Sequence, residues 1–268
     1  MTEIRKRRCR GFTLVELAVV VAIVALLLGS LMYTLSAQTD QRGLDETRRR
    51  LDHARELLLN FAAVNGRLPC PARSIATAAP VTQAGDEVRD ASGACTGDAV
   101  TDYYGGASGG VALGLLPART LGLQPVDAAG FAVDAWGNRI RYAVSGAAPT
   151  NCNSPPATPH FTHAANLKAN GVSCQPNDLI VCKSAAGITA TTCGGAANQI
   201  MSQNLVVALV LSTGKNGASG AAGADEIANV NGDRVFVWHT PTGDFDDLMT
   251  WLTHGEVYGR MIAAGVLP

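Results

Sequence analysis

One carboxylate, Glu16, opens a run of apolar residues from Leu17 to Leu35 in which only Ser30, Tyr33 and Thr34 are polar. The chemistry open to such an acid is ion pairing. Charge at the centre of a bilayer costs roughly 2.5–3.5 kcal/mol, less toward the interface, so a carboxylate held there needs a cationic partner. The apolar run contains no base that could serve. A second group, His160 and His163, has the His-x-x-His spacing that could hold zinc together with an acid or a thiolate. The pair sits in a Pro-rich stretch, where two solvent-exposed loop histidines are the simpler expectation. His239 and His254 have no matching nucleophile, and His53 is expected in solvent. There is no Gly-x-Ser-x-Gly elbow, no His-Glu-x-x-His and no phosphate loop of the Gly-x-x-x-x-Gly-Lys-Ser/Thr kind. The chain therefore reads as a non-enzyme.

The elements that must position Glu16 follow from the flanking residues. Arg5, Lys6, Arg7, Arg8 and Arg10, against the single acid Glu3, hold the N-terminus on the cytoplasmic side by the positive-inside rule. The apolar run has about the ~20 residues that span a bilayer. Beyond it the helix turns amphipathic. Leu44, Leu51, Ala54, Leu58 and Phe61 recur at helical spacing, while Asp45, Glu46, Arg48, Arg49, Arg50, Asp52, Arg55 and Glu56 take the other faces. Asn65-Gly66 is a C-terminal cap signal and Pro69 a stop. From Arg67 onward Gly, Ala, Ser, Thr and Pro separate short apolar segments. Strands are expected at Phe131–Val133, Arg139–Val144, Asp178–Cys182, Leu205–Leu211 and Arg234–Trp238, with Leu205–Leu211 at the buried centre of a sheet. Phe245, Leu248, Met249 and Leu252 recur at helical spacing and predict a C-terminal helix capped by Thr242 or Asp244. Residues 72–110 read as a loop-rich insertion stapled by Cys95.

The segment Gly11-Phe12-Thr13-Leu14-Val15-Glu16-Leu17 after a basic leader resembles the class III signal of type IV pilins and type II secretion pseudopilins. That resemblance implies a basic leader, 1–11, removed by prepilin peptidase after Gly11, and N-methylation of the new terminus, Phe12. It implies that Glu16, then the fifth residue, pairs with the N-terminal amine of a neighbouring subunit, which is the partner its chemistry asks for. An ordinary secretory signal is disfavoured, because its cleavage follows the apolar core. A lipoprotein signal is disfavoured because Cys9 precedes that core. The implied organisation is a transmembrane and filament-core helix over 12–39, an amphipathic continuation over 40–66, and a periplasmic or surface head over 67–268. The implied fold class is α+β, with the long helix packed on an antiparallel sheet head that ends in short C-terminal helices.

Two stretches of the head extend the resemblance. Asp134-Ala135-Trp136-Gly137-Asn138 is similar to a turn of major pseudopilins and reads as a turn whose indole caps the core. Leu211-Ser212-Thr213-Gly214-Lys215-Asn216-Gly217, running on to Gly220, Gly223, Asp225 and Glu226, resembles their calcium loop. The ion it implies would take the Leu211 carbonyl, the Ser212 hydroxyl and the Asp225 carboxylate, with Asn216 or Glu226 supplementary, since calcium wants six to eight oxygens. The same residues also suit a Gly-rich solvated hairpin with no ion. No other cofactor is implied.

Composition fits an exported, anchored chain. The formal net charge is −1. Trimming 1–11 removes five bases and one acid and leaves about −5, which gives no nucleic-acid surface. Of seven cysteines, Cys9 leaves with the leader. The even set that remains suggests disulfides in an oxidising compartment; six cysteines permit 15 connectivities, among which the sequence-local one pairs Cys70 with Cys95, Cys152 with Cys174, and Cys182 with Cys193. The function expected is that of a structural subunit, a minor pilin or pseudopilin of a type IV pilus or type II secretion pseudopilus. Its partners would be other pilin-like subunits, prepilin peptidase, the inner-membrane assembly platform and lipid. It would cross the inner membrane once, with its N-terminus cytoplasmic and its head periplasmic, before entering the filament. The alternative is a filament-tip binding module or adhesin whose head grips a surface, a secreted protein or DNA.

Overall fold

The computed structural model describes residues 13–72, 84–89, 95, 112–145, 160–220 and 223–267. The chain divides into two units, Met1–Gly43 and Leu44–Pro268. One helix, α1 (Leu14–Asn65), contributes to both. In the first unit consecutive residues Val19, Val20 and Val21 are 52, 50 and 60 % exposed, and Leu26, Leu27 and Leu28 are similar. Three consecutive residues cover more than half the circumference of a helix, so apolar surface faces outward on every side. Among the described residues no helix is long and apolar enough to cross a membrane.

In the second unit the same helix has one apolar stripe. Leu51, Ala54, Leu58 and Ala62 are all but fully buried. Their spacing of three and four residues places them on one face. The opposite face carries the i,i+3 and i,i+4 pairs Asp45–Arg48 and Glu46–Arg50, exposed enough to be worth a few tenths of a kcal/mol each. The helix ends as its sequence predicts, with Gly66 at φ +68° donating its N–H to the Ala62 carbonyl.

The remaining elements are β1 (Ala112–Leu115), α2 (Ala118–Leu121), β2 (Arg141–Val144), α3 (Ala164–Asn170), β3 (Leu179–Cys182), β4 (Gln199–Ser212), α4 (Ala224–Val230), β5 (Val235–Val237), β6 (Leu248–Thr253) and α5 (His254–Ala263). The fold is α+β and pilin-like: the helix packs on a curled sheet with short helices at its C-terminal end. Strand order is β1-β2-β4-β3-β5, with β6 also paired to β4. The sheet is mixed rather than antiparallel as expected. The β3–β5 pair is parallel, because β4 runs antiparallel to β3 and β5, reached through α4, returns on the far side of β3 running opposite to β4.

β4 is the centre of the sheet. Its second half, Val206–Ser212, lies between β2 and β6. Its apolar run is continuous because both faces are covered. Ala208 and Val210 meet the α1 stripe together with Tyr142, Leu248 and Leu252. Leu209 and Leu211 meet Leu179, Val181, Phe236 and Met249 on the other side. Leu205, expected in that core, is 47 % exposed and begins outside it.

The helix expected at 245–252 is a strand. β6 alternates Leu248 and Leu252 toward α1 with Met249 and Trp251 toward the second cluster. A strand buried on both faces yields apolar positions that also satisfy a helical spacing. The true C-terminal helix, α5, starts one residue later on a capping box in which Thr253 and Glu256 exchange hydrogen bonds. Phe131–Val133 is likewise no strand; Ala132 and Val133 make only isolated bridges, to Val126 and Arg139.

Two of the expected disulfides, Cys70–Cys95 and Cys182–Cys193, are present. Cys174 is also disulfide-bonded, and its expected partner Cys152 lies outside the described residues.

Candidate functional sites: the Glu16 helix start and the acidic loop

Gly11 and Phe12 lie outside the described residues, which begin at Thr13. Glu16 sits in the first turn of α1 and closes a capping box with Thr13. Its Oε2 accepts the Thr13 N–H at 3.0 Å and the Thr13 hydroxyl at 2.9 Å, and the Thr13 Oγ1 lies 3.3 Å from the Glu16 amide. Within one chain the acid thus satisfies backbone donors and the positive end of the helix dipole. Both bonds that the carboxylate accepts from Thr13 go to Oε2. The sequence located the acid and missed the threonine, although Thr-x-x-Glu is a legible capping signal.

The turn at 134–139 carries its weight on a different residue from the one expected. Trp136 is half-buried, while Asp134 is 1 % exposed. Asp134 Oδ1 accepts the N–H groups of Trp136 (2.9 Å) and Asn138 (2.8 Å), and Oδ2 accepts the Ser212 hydroxyl at 2.7 Å. Its carbonyl takes Arg50 Nη1 at 2.7 Å, and the next amide, Ala135 N–H, donates to the buried Thr47 Oγ1. One carboxylate therefore ties the turn to the end of β4, and the same turn grips the head half of α1.

The four residues implied as calcium ligands are engaged separately. Leu211 lies in the ladder between β2 and β6, and Ser212 donates to Asp134. Asp225 accepts the Ala185 N–H at 2.6 Å and faces His239 Nε2 at 3.1 Å. Asn216 donates its side-chain amide to both oxygens of Glu226, at 3.0 and 2.9 Å. The carboxylates that do approach one another are Glu226, Asp246 and Asp247, with ligand-capable atoms within 4.8 Å. Asp225 is not among them. The donor set the resemblance names is thus divided, with Glu226 in this cluster and Asp225 on Ala185 and His239.

Charge in this cluster is managed by donors and by a proton. Asp246 N–H donates to Glu226 Oε1 at 3.1 Å, and Asn229 Nδ2 to Asp247 Oδ2 at 2.8 Å. Burial first, then the neighbouring Glu226 and Asp246 charges, push Asp247 up from 3.8 to about 7. A raised carboxyl pKa means the folded chain keeps a proton that the unfolded chain releases. The contribution is full below about pH 4 and is lost as pH rises toward about 7. Melting curves of wild type and Asp247→Asn should therefore diverge with pH. The variant gains roughly 5–10 °C over wild type between pH 5 and pH 8; parallel curves would contradict the assignment.

The histidines pack rather than form a metal pair. His160, expected in solvent, is fully buried. Its Nε2 meets the Tyr258 hydroxyl at 2.9 Å, and burial pushes its pKa down to about 4. His163 precedes α3 at its N-cap, and His254 bonds the Cys174 carbonyl. His239 stacks on Phe245 at 3.9 Å, and His53 is exposed. Among the described residues none of the five joins a metal-competent group.

Residues 6–32 match the family model of the prokaryotic N-terminal methylation motif, the class III signal of type IV pilins and pseudopilins. The matched stretch holds Gly11, Phe12, Thr13 and Glu16. The motif implies processing by prepilin peptidase and assembly with other pilin subunits. No curated protein and no solved structure matches the chain.

Proposed function

We propose that this chain is a pilin-like structural subunit, a minor pilin or pseudopilin, trimmed after Gly11, methylated at Phe12 and polymerised through its N-terminal helix. The observation that carries the reading is the methylation motif running directly into a helix with apolar side chains outward on every side and one acid, Glu16, at its start. Before assembly the helix spans the inner membrane once, with the basic leader cytoplasmic and the head periplasmic. Moving it from lipid into a filament core gains little hydrophobic energy, because lipid tails are as apolar as leucine. Close packing and the desolvated pairing of Glu16 with the Phe12 amine of a neighbour then select the filament and fix its register.

The sharing of α1 supports this division of labour. Among the described residues the apolar side chains of Leu14–Leu28 are exposed, while the head half of the helix is buried against the sheet and pinned to α5 by the Arg55–Glu256 and Arg260–Glu56 ion pairs. A head stapled by disulfides suits a minor subunit.

Filaments or pseudopili sheared from the native host should contain the chain at the size of the trimmed form. Its confinement to the membrane fraction, with other subunits recovered in the sheared material, would overturn the assignment.

A further inference from the structure

We propose that the Asn216 side-chain amide occupies the place of a divalent cation in the loop after β4, so that this head closes its acidic loop without metal. Glu226 is 1 % exposed and receives the two Asn216 Nδ2 contacts and the Asp246 N–H. The Asn216 N–H in turn donates to Asp246 Oδ2 at 3.1 Å. One asparagine thus bridges two carboxylates from different elements, through its backbone to one and its side chain to the other.

Those contacts are chemically opposite to coordination. A calcium ion needs oxygen lone pairs converging at about 2.3–2.6 Å. Here hydrogens of N–H groups are aimed at the Glu226 oxygens. With only carboxylate oxygens facing it, the amide must present its NH2 side to Glu226.

The loop is also too close-packed to widen cheaply. A Cβ on Gly214, at φ +64°, would lie 2.0 Å from Asp246 Oδ1, and one on Gly217 would lie 2.1 Å from Thr213 Oγ1. Asn138 Nδ2 holds the Gly214 carbonyl at 2.5 Å. The loop is anchored on one side to the Asp134 turn and on the other to the segment before β6. Between those anchors the Asn216 amide fills the space that separates the Glu226 and Asp246 carboxylates.

The same geometry says how to restore metal dependence. Asn216→Asp replaces the donor with an acceptor facing Glu226 and Asp246. Asp246 Oδ1, buried and without a hydrogen-bond partner, is a ready further ligand. The inference does not rest on filament assembly, and the test is thermal melting of the full chain in detergent with millimolar calcium chloride or EDTA. Wild type should melt within about 1 °C in the two conditions, since a ligand stabilises only what it binds. Asn216→Asp should melt below wild type in EDTA and rise by several degrees in calcium, while Asn216→Ala should be destabilised and unresponsive. A wild-type melting temperature that rises by several degrees in calcium overturns the proposal, whatever the variants do. So does an Asn216→Asp protein that folds yet ignores calcium.

Discussion

Glu16→Ala should leave the head folded and the leader cleavable, yet lower recovery of the chain in assembled filaments at least tenfold relative to wild type. Tenfold corresponds to about 1.4 kcal/mol, well within the roughly 2.5–3.5 kcal/mol at stake when the variant leaves a neighbour's Phe12 amine unpaired in hydrocarbon. Glu16 lies in the unit that excludes the head, so the melting temperature should not move. The companion variant Glu16→Gln separates two roles. A glutamine oxygen can still accept from Thr13 in the capping box, but it carries no charge for a neighbour's amine. If pairing sets assembly, Gln fails as Ala does; recovery with Gln would reduce Glu16 to a helix cap. Immunoblots of sheared and total fractions, with a wild-type chain on the same scale, give the ratio.

Asp134→Ala should be the most destabilising single change in the head, by at least about 3 kcal/mol. It strips the acceptor from Trp136 N–H, Asn138 N–H and the Ser212 hydroxyl at once. Each buried group left unpaired costs about 1–3 kcal/mol. The melting temperature should fall by roughly 6–12 °C. Ser212→Ala removes one of the three contacts and should cost about a third as much. Trp136→Phe, at a half-buried position, should cost less than about 1 kcal/mol. A reversed order, with Trp136 the sensitive site, would restore the indole as the organiser of the turn.

What could be read from the sequence was local. The basic leader, the acid, the apolar run and the Asn65-Gly66 stop are each decided within a few residues; the disulfides Cys70–Cys95 and Cys182–Cys193, closing 25 and 11 residues, were one choice among 15 connectivities. The all-apolar run at the end of β4 was readable because a strand covered on both faces needs no polar alternation. The same property hid β6, whose Leu248, Met249 and Leu252 look helical for that reason. Asp134 was overlooked beside a tryptophan, although an aspartate three residues before a turn glycine commonly binds its own backbone two residues on. The acidic cluster could not be found by spacing. Glu226 and Asp246 are separated by 20 residues, and only the sheet, by placing α4 beside the segment before β6, brings them together.

The central claim is that the chain is trimmed and then held in a filament through a charged terminus. Its most direct test is the mass of the N-terminal peptide ending at Arg42, isolated from the native host. A peptide that begins at a methylated Phe12 is the predicted result. One that retains Met1, or begins elsewhere, contradicts the account.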